Sequence, residues 1–204
     1  PEAYDDYGES RGPKWSLCER FVLQIDDLFN SRFIGDFSLL SYAQKPAERH
    51  VELQTIGSIG HTPNVSIDKS YILSQSGSEM QIKLAIQAPE NHALRGYLVE
   101  TLYLSLPPGE GNKVRLGELV GAWDEPLRAQ AASIQFAAPS ARLQFSMVLP
   151  ETVEVVTQPV YVEHRDRDAM RSTLQGLEIS AAIPLQLGSG SRWEGDLIVR
   201  AIRR

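Results

Sequence analysis

The chain has 204 residues, of which 42% are hydrophobic and 23% charged, enough apolar material for one self-sufficient core. Its formal net charge is −6. That sign excludes a general nucleic-acid binder, which needs a basic face to displace counterions, and it argues against electrostatic docking of this segment on anionic lipid.

Residues Pro1 to Pro13 read as an acidic arm, with Glu2, Asp5, Asp6 and Glu9 and the breakers Gly8, Gly12 and Pro13. Its sticky positions are Tyr4 and Tyr7. Tyr4, Asp5, Asp6 and Tyr7 are therefore expected to engage another copy of the chain, the alternative being a tail solvated or folded back on its own body. Residues 14–204 read as a single globular β-rich domain. Cys18 stands alone and can form no internal disulfide, so it is expected to be a small buried apolar residue.

Period-two alternation marks strands along the body. Met80, Ile82, Leu84, Ile86 and Ala88 form one apolar row; Leu143, Phe145, Met147 and Leu149 form another; Leu177, Ile179, Ala181, Ile183, Leu185 and Leu187 form a third. Weaker runs cover Phe21 to Ile25, Val51 to Ile56, Ser133 to Ala137 and Val153 to Val162. Tyr97 to Leu106 is apolar on both faces and is expected to be central. Pro184 on the polar face of its run predicts an edge or a bulge.

Two helices are expected. Asp36 is read as the cap of Phe37 to Gln44, stopped by Pro46, and Asp166 or Asp168 as the cap of Ala169 to Gln175, stopped by Gly176. Val114 to Trp123 fits either state. The fold class expected is β-rich α+β: a twisted antiparallel sheet or sandwich with two or three short helices. Its core is expected to hold Phe21, Leu23, Ile25, Phe37, Leu40, Leu84, Ile86, Leu102, Leu104, Leu143, Phe145, Ile179, Ile183, Trp193 and Leu197.

Motifs for chemistry are sparse. His50, His61, His92 and His164 lack the close spacing of a zinc site. Ser58 and Ser76 lack the frame of a hydrolase nucleophile, and no glycine-rich loop leads into a helix and lysine. Asp26–Asp27 reads as a solvated strand end. Neither cofactor nor metal is expected, and no enzymatic activity. The rival is an enzyme with dispersed residues, such as His61 with Ser58 or Ser76. The segment Glu163 to Asp168 reads as a solvated, internally paired stretch or as a docking surface, and Arg200 to Arg204 as a strand end with a basic tip.

Two blocks together resemble the matrix proteins of rhabdoviruses. One is Glu19 to Leu40, ERFVLQIDDLFNSRFIGDFSLL. The other runs from Arg142 to Arg200 and contains RLQFSMVL, PETVEVVTQPV, GLEISAAIPL and SGSRWEGDLIV. The chain differs in having Pro1-Glu2-Ala3-Tyr4 where that family carries Pro-Pro-x-Tyr, and in being acidic where the family is usually basic. The resemblance implies a virion structural protein lying beneath the envelope and, during assembly, in the host cytoplasm or at a membrane. Its partners would be other copies of itself in an extended lattice, the viral nucleoprotein and the inner face of a membrane, with no direct sequence-specific nucleic acid. The basic charge such an adaptor needs would lie before Pro1, or in a partner-docking patch drawn from Arg165, Arg167, Arg171, Arg192, Arg200, Arg203 and Arg204. The alternative is a non-enzymatic β-sandwich binding or capsid module.

Overall fold

The computed structural model describes residues 18–28, 33–37, 40–105, 111–166 and 169–203. In chain order the strands are β1 (Cys18–Val22), β2 (Gly35–Asp36), β3 (Ala43–Ala47), β4 (His50–Ile59), β5 (Thr62–Leu73), β6 (Glu79–Gln87) and β7 (Leu94–Leu104). They continue with β8 (Lys113–Leu116), β9 (Leu119–Ala122), β10 (Leu127–Ala138), β11 (Leu143–Asp166), β12 (Ala169–Leu187) and β13 (Arg192–Arg203).

The pairings are antiparallel and join 13 strands into one sheet, ordered β2–β1–β7–β12–β11–β13–β6–β5–β4–β3, with β10, β8 and β9 branching from β11. The long strand β11 is where the sheet turns. Its start, Leu143 to Val148, pairs with β13, and its continuation from Glu154 pairs with β12. The sheet curls there, and β1 and β7 come to face β5 across the interior. Phe21, Ile67, Ile86, Leu98, Ile134, Met147, Ile179 and Leu197 fill that interior as one cluster. Burial of this apolar surface is the main favourable term of the fold.

The period-two runs form strands except that from Phe21, which leaves β1 after Val22 and enters the 3-10 turn at Ile25, and β7 is buried on both faces from Leu98 to Leu102. Pro184 sits where β12 is locally an edge, because β11 stops pairing at Ala182 while β7 continues past Pro184. Neither expected helix forms among the described residues, residues 38–39 of the first lying outside them, which corrects the α+β reading to an almost all-β fold. Among the described residues the helical structure is a short 3-10 turn, Ile25–Leu28, and Phe37 adds a single residue. Asp36 closes β2 as the cross-strand partner of Arg20, whose Nε donates to its carboxylate at 3.2 Å. Ala169 to Gln175 opens β12, where Asp166 pairs with Ala169 and Glu163 with Ser172. A cap is a local signal, and here a hairpin of continuous cross-strand bonds outweighs it. The Val114 to Trp123 segment is the β8–β9 hairpin, leading to Trp123 packed edge-on against Phe136 at 6.0 Å.

Several core expectations also shift. Leu23 is 57% exposed and Leu40 38%, while Ile25, Leu104, Leu143 and Trp193 are half-buried. β1 ends at Val22, so Leu23 leaves the sheet's alternation. The side chain of Cys18 lies outside the described set, as do residues 1–17, including Tyr4, Asp5, Asp6 and Tyr7.

Gly176 is a close-approach position, not a helix stop. A β-carbon there would run into the Leu104 carbonyl and lie 2.9 Å from the Tyr103 ring. Gly176→Val is expected to lower stability in urea unfolding by about 1–3 kcal/mol, through overpacking against β7. An unchanged midpoint would show that the Tyr103 ring yields freely.

Candidate functional site: a buried carboxyl–ammonium cluster under a polar groove

Strand β5 serves two environments through its alternation. Val65, Ile67 and Lys69 point to the interior; Ser66, Asp68 and Ser70 point out. Lys69 is the exception to the apolar inner row. Its Nζ forms an ion pair with Oε1 of Glu19 on β1, and both residues are almost fully buried. Glu19 is the direct cross-strand partner of Glu100 on β7, which is 0% exposed. Tyr42, just before β3, donates its hydroxyl to Glu19 Oε2 at 3.2 Å, and Lys69 Nζ lies 5.4 Å from the centre of the Tyr71 ring.

Two carboxyls and one ammonium cannot all be charged in the interior without a net charge there. Burial drives the Glu100 carboxyl well above the usual carboxylate range, and the Glu19 carboxyl facing it pushes the same way. Burial and the facing carboxyl thus favour a proton on the pair, and on Glu100 first. Both of its oxygens are buried with no hydrogen-bond partner among the described residues. Burial works against the Lys69 charge, but the negative charge of the Glu100–Glu19 carboxyl pair outweighs it and raises the ammonium above its ordinary range. Burial and the Glu19 charge also raise the Tyr42 hydroxyl. The cluster has a proton, an acid and a cation, but it is sealed from solvent, and its position fits a clamp between the two layers.

The outer face above it is open. The strand registers there set side chains in rows. One row is Lys45, Glu52, Ser70, Lys83 and Asp196, on β3, β4, β5, β6 and β13 in turn. The next is Ala43, Gln54, Asp68, Ala85 and Glu194 on the same strands. The two alanines leave room, and the rows line a groove of about 500 Å³. Arg192 bridges it, with Nη1 2.8 Å from Asp68 Oδ2 and Nε 2.8 Å from Glu194 Oε1. Gln81 donates to Asp196 at 2.9 Å, and His50 Nε2 lies 2.7 Å from Ser70 Oγ. The other oxygen of Asp68, Oδ1, is buried without a donor among the described residues. Lys45 and Lys83 form no ion pair among those residues. The groove offers carboxylates, ammonium groups, an amide and a hydroxyl, the functional groups that hydrogen-bond a polyol. No group of three His, Cys, Asp or Glu side chains among the described residues could hold a metal ion.

Of the arginines singled out in the sequence, the side chains of Arg171, Arg192 and Arg200 are described. Arg192 lies in the groove, and Arg200 pairs with Glu79 at 2.6 Å at the far end of β13. Arg171 is exposed on β12, next to the tip of the β11–β12 hairpin. Arg165 and Arg203 fall in β11 and β13, with side chains outside the described set, as are residues 167 and 204 entirely. Sequence reading missed Glu19, Lys69 and Glu100. Their signal was a charged residue in the apolar phase of a strand.

No protein-family model matches the sequence, and no curated protein does. Solved structures do share the fold. The 4-alpha-glucanotransferase of Thermococcus litoralis matches at a TM-score of 0.71 and 15% identity, over 98% of this chain and 29% of its own. The chain thus spans less than a third of that protein's length. A galactose mutarotase-like protein from Lactobacillus casei gives 0.60 at 8% identity, over 90% of this chain and 80% of its own. A putative aldose 1-epimerase from Escherichia coli K12 gives 0.59 at 8%, over 81% and 70%. These likenesses show the fold. They do not bear on the resemblance to rhabdovirus matrix proteins. They do correct the expectation of no enzymatic work, since proteins named as epimerase, mutarotase-like and glucanotransferase are built on this sheet. Such a sheet assembles side chains by register, so the missing short motif was no argument against chemistry.

The cluster makes a pH prediction. Glu100 binds its proton more tightly folded than unfolded, so its contribution is complete below the ordinary carboxylate range and declines as pH rises above it. Glu100→Gln keeps a donor towards Glu19 without the titration. The stability of the wild type minus that of Glu100→Gln is expected to fall with rising pH, by up to about 1.4 kcal/mol per unit within the window. A difference constant from pH 4 to pH 8 would remove the shared proton. Lys69→Met, which strands the two carboxyls, is expected to cost about 3–5 kcal/mol.

Proposed function

We propose that this chain is the β-sandwich unit of a carbohydrate-active protein and that it contacts saccharide through the groove on β3, β4, β5, β6 and β13. One observation supports the reading above others. On a fold shared with proteins named for sugar chemistry, the outer face carries ordered rows of carboxylate, ammonium, amide and hydroxyl groups around a groove of ligand size. Arg192 holds Asp68 and Glu194 in place, which limits the side-chain ordering that binding must impose. The named activities of the similar proteins suggest glucans and aldoses as the first ligands to try.

Saturation-transfer difference NMR of the chain with a panel of glucans, galactose and glucose tests this. Signal transfer to at least one saccharide is expected, together with about tenfold weaker binding by Arg192→Ala. Because the lost ion pairs are exposed, that variant should stay within about 1 kcal/mol of wild-type stability. Transfer to none of the sugars would end the proposal.

A further inference from the structure

The geometry points to an extended, uncharged oligosaccharide as the ligand, lying across the strands with about one sugar unit per strand. This rests on the groove being a saccharide site and adds the class and direction of the ligand.

Direction comes from the shape of the face. The row from Lys45 to Asp196 crosses β3, β4, β5, β6 and β13 without a gap in register. Neighbouring strands lie about 4.8 Å apart, close to the length of one hexose unit, so a chain laid along the row meets a new polar side chain with each unit. The hollow also does not end at β13. A second depression of about 530 Å³ shares Glu194 and Asp196 with the first and continues over Gly195 to Pro150 of β11. The two together form a trough transverse to the strands. A compact site for one sugar would instead be closed at both ends.

Charge sets the class. Along the leading row the groups run ammonium, carboxylate, hydroxyl, ammonium, carboxylate, from Lys45 through Glu52, Ser70 and Lys83 to Asp196. In the second row the carboxylates of Asp68 and Glu194 share Arg192. An anionic glycan would set a negative group against a carboxylate after each favourable contact, in a chain already at −6. A neutral polyol meets no such conflict. Its hydroxyls donate to carboxylate and accept from ammonium, whichever comes next. Exposed ammonium and carboxylate groups also remain hydrated at the trough's open edge, which suits a ligand whose far side stays in water.

The test is a titration of the isotopically labelled chain, followed by amide chemical shifts. The ligands are glucose, maltose, maltotriose and maltohexaose, with oligogalacturonide as the anionic comparison. Affinity is expected to rise about tenfold from maltose to maltohexaose, with shifts spread over all five strands. Lys45→Ala and Asp196→Ala sit at the two ends of the row, and each is expected to weaken maltohexaose more than maltose. Oligogalacturonide is expected to bind more weakly than maltohexaose. Glucose binding as tightly as maltohexaose, with shifts confined to one or two strands, would overturn the transverse chain while leaving a saccharide groove standing. Tighter binding of oligogalacturonide would overturn the neutral class. Saccharide-induced shifts elsewhere, or none with any ligand, would overturn both this inference and the groove assignment.

Discussion

The ion pair between Lys69 and Glu19, with Glu100 as its protonated neighbour, is the contact on which the rest of the arrangement hangs. It ties β5 to β1 and β7 across an interior filled mainly by apolar side chains. Buried pairs of this kind are weak arguments for net stability, because desolvation offsets attraction. They are strong arguments for uniqueness of register. A one-residue slip of β5 would carry Lys69 outward and bring Asp68 or Ser70 inward, leaving Glu19 and Glu100 as two facing carboxyls without a cation. The direct pairing of Glu19 with Glu100 on adjacent strands is unfavourable by itself, as like groups opposite each other are. It becomes tolerable through a proton on one and an ammonium on the other.

The same register fixes the groove. Asp68 and Ser70 flank Lys69 on the opposite face of β5. Whatever holds Lys69 in the interior therefore holds those two outward. Their row partners on β4 and β6 follow through the ladder, and Asp196 and Glu194 follow through β6 to β13. A recognition surface on strands is better fixed than one on loops, because each side chain inherits the position of a backbone hydrogen-bonded on both sides. Inner cluster and outer rows are two readouts of one alternation.

Much of the sheet was legible in the sequence. The apolar rows of β6, β11 and β12 stand out by period two, and the two-sided burial of β7 follows from its apolar residues in both phases. The helices were misread because Asp36 and Gly176 carry the local chemistry of a cap and a stop, while their real partners, Arg20 and the Tyr103 ring, come from distant strands. Lys69 and Glu100 were visible as charges in apolar phase. What they meant depended on Glu19, which becomes their neighbour through the curl of the sheet. The groove could not be read at all, since its rows need four strand pairings, and of the leading row only Lys45 and Glu52, on one hairpin, fall within a short window. Its exposed residues look in sequence like any solvated strand face.

The coverage of the similar structures adds a consideration about where such a groove would act. Nearly the whole chain superposes on less than a third of a glucanotransferase, so the fold occurs as one part of a larger machine. On the proposed reading, a groove on such a unit need not bind tightly to matter. If a catalytic unit engages the same glucan, holding one stretch of chain converts the second contact into an intramolecular one, at an effective concentration set by the spacing of the two units. Weak, neutral and repetitive contacts are then better suited than a deep single-sugar pocket. They let a polymer slide by one unit and be held again, because the next strand offers another polar group, at nearly the same distance, to which a hydroxyl can donate or from which it can accept. A trough of alternating carboxylate and ammonium groups, fixed from beneath by one buried lysine, has that property built into its register.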